Sequence, residues 1–68
     1  MSAIGVTIKR LRHERGWTQR DLGKRAKLAE VSIARLECGM RTNPPLTTLK
    51  KLAKALKVPL ADLVKDED

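Results

Sequence analysis

The chain has no tyrosine and no phenylalanine, and Trp17, His13 and Cys38 are each the only residue of their kind. A lone cysteine excludes an intrachain disulfide, and one cysteine with one histidine leaves a structural zinc site short of ligands. The scarcity of aromatic rings weighs against the modules that read single-stranded DNA or RNA, which stack bases on several rings. No apolar run approaches the ~20 residues that span a bilayer. Residues 1–10 lack the charged-then-apolar pattern of a signal peptide, so a cytoplasmic domain is expected. Serine occurs only at Ser2 and Ser32, and no glycine-rich phosphate loop is present. A chain this short is expected to hold no pocket of useful size, so neither catalysis, nor a cofactor, nor a small-molecule ligand is expected.

Positive charge is what the sequence has in excess. Fifteen Lys and Arg stand against eight Asp and Glu, for a net charge of +7. The distribution is uneven. Residues 1–57 carry 14 basic and 4 acidic residues, whereas Asp62, Asp66, Glu67 and Asp68 make the end acidic. A basic body implies a polyanionic partner, nucleic acid before an anionic membrane surface. Duplex DNA fits the missing aromatics, because it is read through side-chain hydrogen bonds and phosphate contacts.

Apolar spacing is helical throughout. Ile4, Ile8 and Leu11 mark one face of a first helix over about residues 3–15, which Gly16 closes. Thr18 is placed as the N-cap of a second helix, with Asp21 in the capping-box position and Trp17 and Leu22 at hydrophobic-staple spacing. Leu22, Gly23 and Ala26 make a narrow stripe of small residues. A short turn at 27–29 leads to a third helix over about residues 30–38, with Ile33 and Leu36 facing inward and Gly39 at its end. Residues 40–45 form a loop, because Asn-Pro and Pro-Pro cannot continue a helix. Leu46, Leu49, Leu52, Ala53 and Leu56 mark the inner face of a fourth helix, and Lys50, Lys51, Lys54 and Lys57 its outer face. Leu60, Leu63 and Val64 belong to a last short helix. The expected fold is an all-α, compact five-helix bundle over residues 1–64, followed by an acidic, frayed tail at 65–68.

The second helix, its tight turn and the third helix carry the functional signal. Gly23 lets two helices cross closely, and the third helix keeps a short polar outer face of Glu30, Val31, Ser32 and Arg35 that fits a major groove. The runs from Ile8 to Arg12, Trp17 to Leu22, Ile33 to Gly39 and Leu49 to Leu56 together resemble the lambda-repressor/Cro-like helix-turn-helix domains, the XRE family. The likeness covers nearly the whole chain.

That resemblance implies a sequence-specific regulator of transcription on duplex DNA, either a repressor or a small autoregulatory control protein. It implies that Glu30, Val31 and Arg35 read bases, that Thr18, Gln19 and Ser32 lie at the DNA backbone, and that Gln19 buttresses the recognition helix. Arg41 and Asn43, just after that helix, are phosphate candidates by position. Three departures stand out: Lys27 and Lys57 replace usual glycines, and Ala29 replaces the usual Ser or Thr cap. The rival possibility is a helix-turn-helix reused to bind protein, but Val31 is the only apolar residue on the outer face.

Arg12 lies four residues after Ile8, and Glu37 four after Ile33, so both charges fall on core-facing positions. Burying them is costly unless they meet, and the family likeness supports a structural ion pair. His13 is placed on a solvated face, and Cys38 as a small packing residue. One recognition helix reads too few base pairs to select a genomic site, which implies a homodimer on a palindromic operator. Leu60, Leu63 and Val64 are the candidates for its interface, and the expected location is the cytoplasm, associated with the nucleoid when bound.

Overall fold

Helix ends and apolar spacing dictate five segments, and the structure, a computed structural model, describes them over residues 4–40 and 44–64, the side chain of Val64 excepted. They are α1 (Ile4–Glu14), α2 (Gln19–Ala26), α3 (Glu30–Glu37), α4 (Leu46–Leu56) and α5 (Leu60–Val64), with no strand among the described residues. The fold is the all-α five-helix bundle that the spacing predicts. α2 packs against both α3 and α4, α1 against α3 and α5, and α5 against α4. Residues 65–68, expected as a tail, lie outside the described residues.

Ile4 and Ile8 of α1, Leu22 of α2, Ile33 and Leu36 of α3, Leu52 and Leu56 of α4 and Leu63 of α5 are fully buried and form one core. Removing each from water stabilises the fold by about 1.5–3 kcal/mol. Trp17 and Leu28 lie half-buried against that core.

Three apolar assignments need correction. Leu46 is 56% exposed, because it opens α4 one turn before the buried run begins at Leu49. Cys38 is exposed at the end of α3, its thiol 3.5 Å from the carbonyl of Arg35, and does not pack. Leu63 is 2% exposed: it completes the core and has no surface to offer a second copy of the chain. The expectation of no useful pocket also fails. A cavity of about 580 Å³ opens where the α1–α2 turn, the end of α2 and α4 come together.

Helix ends explain most of the turns. Gly16 and Gly39 adopt positive φ after α1 and α3, and two lysines do the same after α2 and α4: Lys27 and Lys57, each at φ 58°. A side chain in this left-handed region costs about 1–2 kcal/mol relative to the right-handed one. Both lysines close their helices by donating backbone N–H bonds to carbonyls of the last turn. Ala29 precedes α3 without any side-chain cap, and Pro45 does the same for α4.

Two glycines set the helix crossings. A Cβ on Gly23 would come within 2.8 Å of the carbonyl oxygen of Leu28, in the turn before α3. A Cβ on Gly5 would collide with the carbonyl oxygen of Leu36, in the last turn of α3. Gly5 therefore fixes how closely α1 approaches the helix that carries the outer polar face. Alanine is the better helix former by about 1 kcal/mol, but overpacking costs about 1–3 kcal/mol. The Gly5→Ala variant is expected to melt at a lower temperature than the parent. A rise in melting temperature would show that α1 and α3 have room to separate.

Candidate nucleic-acid interface

The site begins with α2, whose start is fixed locally. The hydroxyl of Thr18 accepts from the backbone N–H of Asp21 at 3.0 Å, and the Asp21 carboxylate accepts from the backbone N–H of Thr18 at 2.9 Å. The bond donated by the Thr18 backbone, followed by one donated by the Thr18 hydroxyl, holds the Asp21 carboxyl below its ordinary value. Thr18 itself is exposed at the start of the helix.

Gln19, the first residue of α2, lies between the cap and α3. Its amide nitrogen donates to Oε1 of Glu37 at 3.2 Å. The same oxygen accepts from Nη2 of Arg12 at 2.8 Å, while Oε2 of Glu37 accepts from Nε of Arg12 at 2.7 Å. Nη1 of Arg12 donates to the carbonyl of Trp17 at 2.8 Å. One carboxylate thus joins α1, the start of α2 and the end of α3, with the two side chains of the ion pair only 9% and 4% exposed. All three guanidinium nitrogens of Arg12 are engaged inside the protein.

Burial pushes the Glu37 carboxyl up. The hydrogen bonds from Arg12 and Gln19, with the charges of Arg12 and Lys9, outweigh it and hold the group below its ordinary value of 4.5. Hydrogen bonding to Glu37 likewise raises Arg12 above its ordinary value, against the opposing effect of burial.

With its inner face held by Ile33, Leu36 and Glu37, α3 turns Glu30, Val31 and Arg35 outward. All three are exposed, Val31 by 53%, and neither Glu30 nor Arg35 forms an ion pair among the described residues. Four to five residues of helix separate Arg35 from the other two, about 6–7.5 Å of rise, or roughly two base-pair steps. Ser32 is half-buried beside them. Met40, just past α3, is 78% exposed. Arg41 and Asn43 lie outside the described residues.

Leu60 is half-buried against the core, so it keeps part of its surface. His13 is exposed on α1.

Arg15 and Arg25 acquire roles that the sequence pattern does not reveal. Nη1 of Arg15 donates to the carbonyl of Leu11 at 2.8 Å and Nη2 to the carbonyl of Leu56 at 2.6 Å, tying the end of α1 to the last turn of α4. The Arg25 guanidinium lies 4.3 Å from the centre of the Trp17 ring, and that of Arg15 6.0 Å. Among the described residues no group of His, Cys, Asp and Glu is placed to hold a metal ion, and no helix is long and apolar enough to cross a membrane.

A helix-turn-helix family model matches residues 8–63. The chain is 38% identical over 64 residues to the HTH-type transcriptional repressor RghR of Bacillus subtilis, covering 94% of this chain and 47% of RghR. It is also 38% identical over 65 residues to the HTH-type transcriptional regulator y4dJ of Sinorhizobium fredii, covering 96% of this chain and 83% of y4dJ. Among solved structures, that of SinR, the master regulator for biofilm formation, in complex with DNA superposes with a TM-score of 0.85 at 32% identity, over 88% of this chain and 95% of that one. The chain spans about half the length of RghR.

The linkage of Glu37 to stability has a definite sign. A carboxyl depressed in the folded state favours folding when ionised, so this contribution is complete above its ordinary value of 4.5 and disappears as pH falls through its lower folded value. Thermal melts of the parent should lose stability across that acidic window, whereas Glu37→Gln, weaker at neutral pH, should show a shallower pH dependence there. Identical slopes would mean that Glu37 carries no linked proton.

Proposed function

This chain belongs to the XRE family of helix-turn-helix proteins, and from that premise we propose that it is a sequence-specific regulator of transcription that binds duplex DNA, and not an enzyme. The observation that carries the proposal is the two-sidedness of α3: its inner face is locked to α1 and α2 through Glu37, while Glu30, Val31 and Arg35 are exposed and unpaired among the described residues. A rigid helix presenting a donor fork, a carboxylate and a methyl-bearing side chain is equipped to read base edges. Arg donates to the two acceptors of guanine, Glu accepts from the amino group of cytosine, and an apolar side chain contacts the thymine methyl. Thr18, Gln19 and Ser32, with Arg41 and Asn43 beyond α3, serve the phosphates that set the register of the helix in the groove.

Two further elements complete the proposal. The domain acts as a homodimer on a palindromic operator, with half-sites about one helical turn (~34–36 Å) apart. Since Leu63 belongs to the core, Leu60 is the described apolar side chain that α5 gives to that interface, with Val64 a candidate by its position in the sequence. The protein works as a repressor or a small autoregulatory protein in the cytoplasm, on the nucleoid.

Selection of bound sequences from a random duplex library tests the reading role directly. Arg35→Ala should cost about 1–3 kcal/mol at one preferred guanine and relax selection there, whereas Arg41→Ala should weaken all sequences alike. Affinity should also fall steeply with salt, by about 0.9 in log affinity per log unit of salt for each neutralised phosphate. An Arg35→Ala variant that keeps the parent's sequence preference, or affinity that is flat with salt, would point to a protein partner instead.

A further inference from the structure

The cavity of about 580 Å³ lies away from the outer face of α3: no α3 residue is part of its lining. Its wall carries Arg25, Lys27, Lys51, Lys54 and Lys57, and no acidic residue. None of these five forms an ion pair among the described residues. Arg15 and Trp17 complete the wall, and Ala26, Ala55 and Leu56 contribute apolar surface to it.

Two helix ends converge here, since Lys27 closes α2 and Lys57 closes α4. Cations near helix C-termini compensate the negative end of the macrodipole, but each end is worth only about half an elementary charge. Two ends therefore account for about one of the five positive charges. Several of the end carbonyls are also already satisfied: Gly23 and Lys24 accept from Lys27 and Leu28, Ala53 and Lys54 from Lys57 and Val58, and Leu56 from Arg15. Arg25 also lies over Trp17 and near the Asp21 carboxylate, which leaves most of the four lysine charges without a partner in the fold.

An independent observation lies in the backbone. Among the described residues only two non-glycine side chains occupy positive φ, and both are lysines of this wall, Lys27 and Lys57. Glycine would take either position without strain. The chain accepts strained backbone twice, each time at a lysine that lines the same cavity.

We propose that this cavity is a binding site for a small polyphosphorylated ligand with a planar ring, of the nucleoside di- or triphosphate class. Its volume lies within the ~300–1,000 Å³ typical of small-ligand sites. The ammoniums and the edge of the Arg25 guanidinium meet the phosphates. The flat face that Arg25 makes with Trp17, 4.3 Å apart, and the apolar side chains beside it meet the ring.

The test uses the full chain at a constant ionic strength of about 0.15 M, where diffuse attraction between distant charges is screened. Tripolyphosphate and adenosine triphosphate are titrated by calorimetry, and Trp17, the only aromatic side chain, reports on the cavity through its emission during the tripolyphosphate titration. One saturable site per chain is expected for both probes, tighter for adenosine triphosphate, with Trp17 emission following occupancy. The double variant Lys27→Gly/Lys57→Gly relieves the strained backbone while removing two of the cations. It is expected to melt at or above the parent's temperature and yet bind both probes at least about tenfold more weakly. Lys24→Ala/Lys50→Ala removes equal charge from α2 and α4 outside the cavity, and should change affinity by less than about threefold.

Equal losses in the two double variants, or no saturable binding, would overturn the proposal. So would hexaglutamate binding as tightly as adenosine triphosphate, which would make the cavity a dock for acidic protein segments. A loss of duplex DNA affinity in Lys27→Gly/Lys57→Gly as large as its loss for the probes would assign these cations to the DNA backbone and equally overturn it.

Discussion

A carboxylate and a guanidinium enclosed between three helices carry a desolvation penalty of several kcal/mol each, which only close, fully bonded geometry offsets. The Arg12–Glu37 pair meets that condition, with two parallel bonds of 2.7 and 2.8 Å, a third from Arg12 to the Trp17 carbonyl, and Gln19 on the remaining side of the carboxylate. Its value lies in direction as much as in stability. Apolar packing by Ile33 and Leu36 holds α3 against the core and sets its inward face, to within what non-directional contacts allow for its rotation. A bidentate pair at Glu37, in the last turn, fixes that rotation, and with it the direction in which Glu30, Val31 and Arg35 point. Gly5 supplies the complementary constraint by letting α1 approach the Leu36 carbonyl closely enough for Arg12 to reach Glu37.

The parts of the molecule that were legible in the sequence are those set by local rules. Helical spacing located all five helices, and Thr18 with Asp21 located the start of α2 because capping chemistry acts within one turn. Arg12 and Glu37 could be singled out because each lies one turn beyond a core isoleucine, where an unpaired charge is costly. Leu46 was misplaced because spacing alone does not say where along α4 the core begins. Cys38 was misplaced because smallness is compatible with the surface as well as the interior.

Other features depend on which distant segments meet, and spacing is silent about that. Arg15 reaches Leu56 across 41 positions of chain, and Arg25, in the last turn of α2, covers Trp17, which precedes the first. The cavity exists only once α2 and α4 end side by side. Gly5 left a faint signal, since a glycine inside an amphipathic helix is unfavourable unless something approaches closely. Lys27 and Lys57 left a clearer one, as side chains where glycine is the relaxed choice.

Positive charge is thereby divided between two faces of one small domain. On α3, Arg35 lies one turn from Val31 on an exposed surface that Glu30 opens and whose rotation is fixed from behind. At the ends of α2 and α4, cations gather without acids around a concave wall. The first arrangement suits the reading of a patterned surface, and the second suits neutralising a compact anion. The helix α2 joins them, since it packs against both α3 and α4.

A double-mutant cycle in equilibrium unfolding, with Arg12→Met, Glu37→Leu and both together, tests the role of the Arg12–Glu37 pair most directly. Each single change leaves one buried charge without its partner and is predicted to cost about 3–5 kcal/mol, a large share of the ~5–15 kcal/mol typical of a folded domain. The double variant, which buries no charge there, is predicted to be more stable than either single variant. If the two costs simply add to within about 0.5 kcal/mol and the double variant is the least stable of the four, the two groups do not act as a pair and the account of how α3 is held is wrong.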